Sequence, residues 1–185
     1  MDLTHFDVFG TRLRESMIAH SWKPGSSSDS DDAFNELALV LFELQFTSCP
    51  SYRSFCAARG AFPGRIGSWT DIPAVPAAAF KELDLSCLPP ADRTTVFHSS
   101  GTSEHRPSRH CHNADSLSIY ESFLLPWFQV HFFPGSDLLS PPSSAGDRPE
   151  HARWDLAILT PRRAQAPHSS LVYMFDTIRR AVGLE

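Results

Sequence analysis

Residues 94–112 read Thr-Thr-Val-Phe-His-Ser-Ser-Gly-Thr-Ser-Glu-His-Arg-Pro-Ser-Arg-His-Cys-His, and the change of character along this stretch decides how the rest of the chain is read. Thr94, Thr95, Val96 and Phe97 carry β-branched or aromatic side chains that fit a pleated strand. Ser99, Ser100, Gly101, Thr102 and Ser103 follow with a flexible backbone and four hydroxyls, and successive N–H groups in such a turn form an anion nest. Pro107 fixes its own φ and has no N–H for a ladder, so the turn is expected to end near it, with Ser108 to His112 returning as extended chain. Arg106 and Arg109 add planar, forked donors suited to phosphate oxygens. The expectation is strand, phosphate-gripping loop, strand. A Walker A loop would need a Gly-Lys-Ser/Thr ending that opens a helix. None is present, so kinase-like and GTPase-like readings drop out.

At 185 residues and 42% hydrophobic, the chain can bury one sizeable core. A net charge of -5 argues against nucleic acid or an anionic membrane as the main partner. No apolar run approaches the roughly 18 residues of a membrane span, and the acidic start, Met1 to Asp7, lacks the flank of a signal peptide. A cytoplasmic location is expected. Cys49, Cys56, Cys87 and Cys111 form neither C-x-x-C pairs nor a dense disulfide scaffold, so reduced thiols are expected.

Phe6, Phe9, Leu13, Met17 and Ile18 recur at helical intervals interrupted by Gly10, which predicts a helix over Thr11 to His20. Lys23 to Asp32 reads as a linker, ending in Ser30 or Asp31 as an N-cap. Phe34, Leu37, Leu41 and Leu44 make an apolar stripe over Ala33 to Thr47. Pro50 opens a short helix with Tyr52, Phe55 and Cys56 inward and Gly60 at its end. Gly64, Gly67 and Ile72 to Pro76 predict an extended, turn-rich passage before helix returns over Ala77 to Leu83. Beyond the loop, Asn113 or Asp115 caps a helix carrying Leu117, Tyr120, Phe123, Leu124 and Trp127, which Pro126 is expected to kink or stop. Val130 to Gly135 reads as a short aromatic continuation and Ser136 to Arg153 as irregular chain. Trp154 to Thr160 is a continuous apolar run, predicting a strand buried on both faces. Ser169 or Ser170 caps a last helix with Leu171, Met174, Phe175 and Ile178 on one face and Arg179 and Arg180 at its cation-favouring end.

Taken together, the helix F-N-E-L-A-L-V-L-F-E-L-Q-F, the segment P-S-Y-R-S-F-C, D-I-P-A-V-P-A-A-A-F-K-E-L and V-F-H-S-S-G-T-S resemble the LuxE-type acyl-protein synthetases of the adenylate-forming superfamily. Ser99, Ser100, Gly101, Thr102 and Pro107 match that superfamily's loop, S-S-G-T-T-G-x-P-(K/R) in outline. Ser103 stands where a second threonine is usual, Glu104 where a second glycine is, and Arg109 in place of lysine. The resemblance runs from about Ala33 to the C-terminus. It implies an α/β fold, the N-terminal part of the large domain of an adenylate-forming enzyme, with helices packed on a sheet. Residues 1–32 then form an N-terminal helix and linker, and 33–185 a truncated synthetase domain.

The activity implied is ATP-dependent formation of an acyl-adenylate from a long-chain fatty acid, then transfer to a protein cysteine. ATP and Mg²⁺ are the implied cofactors, with a fatty-acid reductase or acyl-carrier protein as partner. The implied ATP-phosphate contacts are Ser99, Ser100, Gly101, Thr102, Ser103, Arg106 and Arg109. Whole family members add the adenine and ribose contacts, a catalytic lysine and the acceptor cysteine. None of these falls on this chain, so it reads as an incomplete portion that does not turn over alone. A phenylacetate-type acyl-CoA ligase fragment and a non-catalytic remnant or interaction module stay open.

His98 reads either as a polar contact to substrate or phosphate or as a satisfied half-buried histidine. His98, His105, His110, His112 and Cys111 suggest a zinc cluster only until strand alternation turns Cys111 away from its neighbours, leaving two imidazoles rather than four ligands. Glu104 and Glu121 show no paired-carboxylate arrangement. The four cysteines read as packed thiols rather than acyl acceptors, Cys111 least securely because of its basic neighbours.

Overall fold

The computed structural model describes residues 4–19, 28–99, 106–133 and 156–183. The fold is mixed but helix-dominated: six α-helices and one two-stranded sheet among the described residues. The chain divides into two compact units, residues 1–115 and 116–185.

In the first unit α1 (Thr4–Ala19) starts well before the expected Thr11 and carries Gly10 inside it. One glycine costs about 1 kcal/mol against alanine, which the burial of neighbouring Phe9 offsets. Arg12 ties α1 to α2 (Ser28–Ser48) through Glu36 at 3.0 Å. That helix begins before the N-cap expected at Ser30 or Asp31, so the end of the Lys23 to Asp32 segment is helical. Pro50 opens α3 (Pro50–Ala57) as expected. Its end is a Schellman turn: Gly60 takes φ 68°, its N–H reaches Ala57 O at 3.0 Å, and Ala61 N–H reaches Cys56 O at 3.0 Å. Arg53 donates to the carbonyls of Phe46 (3.0 Å) and Thr47, occupying acceptors that the end of α2 leaves without helical partners.

Phe42, Cys49, Tyr52, Cys56 and Ala61 form the core of this unit. A strap over residues 61–87 wraps it, held by Tyr52 OH donating to Pro73 O (3.1 Å). Asn35 clips the strap twice, donating to Gly67 O (3.2 Å) and accepting from Trp69 N (2.7 Å). The expected helix over Ala77 to Leu83 is one turn, α4 (Ala79–Glu82). After a 3₁₀ turn at Pro90–Asp92, β1 (Thr95–His98) pairs antiparallel with β2 (Arg109–His112), Phe97 facing His110 and His98 facing Arg109.

The second unit contains α5 (Ala114–Phe132) beyond its first two residues, and α6 (Ser170–Ala181). Pro126 does not stop α5. It removes one N–H from the ladder at an exposed position, while Leu124 and Phe128 on either side are buried. The strand expected at Trp154 to Thr160 is absent: Trp154 and Asp155 lie outside the described residues, and 156–159 pair with no strand. Leu156 and Ile158 pack on the core of Leu124, Phe128, Phe133 and Ile178, whereas Leu159 is 95% exposed. The run therefore buries one side only. Ser169 Oγ caps α6 by accepting from Val172 N (3.2 Å). Of the expected face, Ile178 is buried and Met174 and Phe175 pack against its core, but Leu171 is exposed and Val172, Tyr173 and Thr177 are buried as well.

No helix among the described residues is long and apolar enough to cross a membrane.

Candidate functional site

The β1–β2 pairing turns the sequence around Gly101 into the connection of a hairpin. Ser100, Gly101, Thr102 and Ser103, with Glu104 and His105, lie outside the described residues, so the geometry concerns the base of the loop and its arms. At the base two serines clasp each other: Ser99 N donates to Ser108 O (3.2 Å) and Ser108 N donates to Ser99 Oγ (2.9 Å). These bonds extend the hairpin beyond its last ladder pair and fix where the connection leaves and returns. Ser108 is buried, with its Oγ 3.0 Å from His110 Nε2.

Register assigns the strand residues to two faces. Thr95, Phe97, His110 and His112 share one, and it is lined with rings: Phe80 of α4 stacks on His110 at 5.0 Å and Phe97 lies 5.1 Å from His112. Burial, then the neighbouring His110, lowers the His112 pKa below the ordinary imidazole value. Val96, His98, Arg109 and Cys111 share the other face, so Cys111 does alternate away from His110 and His112. That second face is basic. His98 and Arg109 are exposed and opposite each other at the loop end, and the Arg93 guanidinium interacts with Cys111. Arg93 is itself anchored by Asp84 Oδ2 (2.8 Å) and Leu88 O (2.9 Å), and the carboxylate beside it raises its pKa.

Of the residues expected to touch phosphate, the structure brings Ser99 and Arg109 together with His98 at the mouth of the hairpin. Arg106 is directed elsewhere, to Glu82 Oε2 at 2.6 Å, with both side chains about 60% exposed. An exposed pair of this kind contributes about 0–1 kcal/mol, so it does not lock the arginine. Sequence reading missed Glu82, the Ser108 clasp and Arg93. Arg93 and Glu82 carry no local signal, since each acquires its role through residues 9 and 24 positions away.

Among the described residues no group of three or more His, Cys, Asp or Glu side chains is arranged to hold a metal ion. Cys49 and Cys56 are buried, and burial pushes the Cys87 thiol up to about 11. No family model, no curated protein and no solved structure matches this chain.

Proposed function

We propose that the hairpin is the ATP-phosphate grip of an adenylate-forming enzyme of the LuxE acyl-protein synthetase kind, acting in activation of a long-chain fatty acid as its acyl-adenylate. The observation that carries this reading is the antiparallel β1–β2 pair, closed by the Ser99–Ser108 clasp and bearing His98 and Arg109 at its mouth. In this reading the loop N–H groups and hydroxyls of Ser99 to Ser103 hold phosphate oxygens, and Arg109 neutralises charge as pyrophosphate departs. Arg106 joins by exchanging Glu82 for phosphate. Mg²⁺ would enter on the phosphate oxygens with few protein ligands, the usual manner for this ion at nucleotide sites. The basic face and hydroxyl-rich connection fit a polyanion. The acyl acceptor is a cysteine other than the four present, and the acyl group passes on to a reductase or carrier protein.

Calorimetric titration of the 185-residue chain with magnesium pyrophosphate tests the grip. Wild type is expected to bind, and Gly101→Val and Arg109→Ala each to weaken binding by about ten-fold or more, the scale of a lost charge-assisted contact. No binding, or variants that bind like wild type, would defeat the assignment. The chain alone is expected to release no pyrophosphate from ATP with fatty acid. Sustained fatty-acid-dependent release would show that the chemistry needs nothing beyond these residues.

A further inference from the structure

A cavity of about 520 Å³ opens in the first unit between α2, α3 and the strap that runs from Trp69 to Cys87. Its size falls within the roughly 300–1,000 Å³ of small-molecule sites. Tyr52, Trp69 and Phe80 contribute rings to its wall, Gln45 a neutral amide, and Cys49 and Cys87 thiols. Among the described residues that line it there is no Asp, Glu, Lys, Arg or His. Burial raises both the Cys87 thiol and the Tyr52 phenol, which keeps these two groups neutral near pH 7. A charged ligand would lose its hydration there without gaining a partner.

The rings are held before any ligand arrives. Trp69 has its backbone N–H on Asn35 Oδ1 (2.7 Å) and its ring edge-on to Phe34 at 5.4 Å, yet remains 48% exposed. Phe80 is stacked on His110, and Tyr52 OH is bonded to Pro73 O. Rings fixed in advance lose little freedom on binding, and an aromatic partner gains edge and face contacts that an aliphatic one of equal area does not. We infer that this cavity is a binding site for an uncharged aromatic small molecule. The inference rests on α2, α3 and the strap and is independent of the phosphate reading of the hairpin.

Cys87 provides a reporter inside the cavity, and Cys111, on β2 and not among the lining residues, a reference in the same molecule. Alkylation of the full chain by N-ethylmaleimide, followed by peptide mass mapping, gives the rate at each thiol with naphthol, decanol or naphthalenesulfonate present. Naphthol is expected to slow Cys87 at least about ten-fold at saturation and leave Cys111 unchanged. Half-protection should need about two- to ten-fold less naphthol than decanol, the factor expected of one aromatic pair, and the sulfonate should not protect. Trp69→Leu should bring naphthol to the level of decanol with circular dichroism unchanged. Equal protection of both thiols, no protection, or naphthol no better than decanol or the sulfonate would overturn the inference. These wild-type comparisons decide it even if Trp69→Leu fails to fold.

Discussion

Around Cys56, which is fully buried, the first unit packs Phe42, Cys49 and Tyr52 and buries no charged side chain among its described residues, whereas the second unit buries Arg179 at 6% exposure beside Ile178 at 0%. In the first unit neutral groups hold the strap and helix end around the core, through the Asn35 clip, the Tyr52 hydroxyl and the Schellman turn at Gly60, while its ion pairs, Arg12–Glu36, Arg93–Asp84 and Arg106–Glu82, each involve an exposed carboxylate. In the second unit charged groups reach into the packed region. Arg179 donates to Asp176 Oδ1 and to Thr160 O, both at 3.3 Å. Glu121 of α5 accepts from Tyr173 OH at 2.5 Å, Thr177 Oγ1 at 3.4 Å and Arg180 at 3.3 Å, all on α6. A helix pair joined through one carboxylate is sensitive to geometry, because each lost partner leaves a half-buried charge less well solvated. A core of rings and thiols responds instead to volume.

The largest expected effect breaks the first core by volume. Phe42→Ala empties a position that is 2% exposed and should cost about 3–5 kcal/mol in urea unfolding followed by circular dichroism. A loss below about 1 kcal/mol would mean that Phe46 and Phe55, packed beside it, collapse into the space. In the second unit Arg179→Met keeps much of the apolar stem but removes two charge-assisted bonds, and should cost about 1–3 kcal/mol by the same measurement. Arg180, already 3.9 Å from Asp176, is placed to compensate part of this loss. A cost equal to that of Phe42→Ala would place the second unit's stability in its charges rather than in Ile178 and Phe128.

The smallest effect distinguishes one thiol of the first unit from one phenol of the second by pH. The Cys87 pKa is raised by burial to about 11, and the Tyr173 pKa to about 12, by burial first and then by Glu121. In both cases the folded state favours the protonated form. The contribution is therefore complete below the unfolded pKa, about 8.5 for cysteine and 10 for tyrosine, and is lost as pH rises through the folded value. The unfolding free energy from urea titration should fall first between about pH 8.5 and 11, by about 1 kcal/mol after solvent screening, and Cys87→Ala should flatten that fall. Tyr173→Phe should flatten only the later part, above about pH 10. If Cys87→Ala leaves the early fall unchanged, the thiol titrates without cost and its burial is looser than the structure describes.

The second unit also shows where sequence patterns stop being informative. Leu156 and Ile158 look like part of a buried strand because Leu156 to Leu159 is apolar throughout, but a strand exists only when another strand meets it. Nothing within seven residues encodes that neighbour. Glu121 had no signal either: a lone glutamate in an apolar helical pattern reads as a solvated position until Tyr173, 52 residues on, is brought to it.

What the sequence by itself determined are the features whose cause lies within one turn or one loop. Pro50 opens α3, Gly60 adopts positive φ to close it, Ser169 caps α6, and the β-branched and ring-bearing arms about Gly101 pair as a hairpin. Each follows from a fixed φ, an absent Cβ, a hydroxyl within reach of an N–H, or side-chain alternation. Tertiary structure alone decided that α1 runs through Gly10 and α5 through Pro126, that α6 buries Val172 rather than Leu171, and that Arg106 turns to Glu82. In these cases a local preference of about 1–3 kcal/mol is set against apolar burial and ion pairing by residues distant in sequence, and the outcome depends on which surfaces the fold brings together.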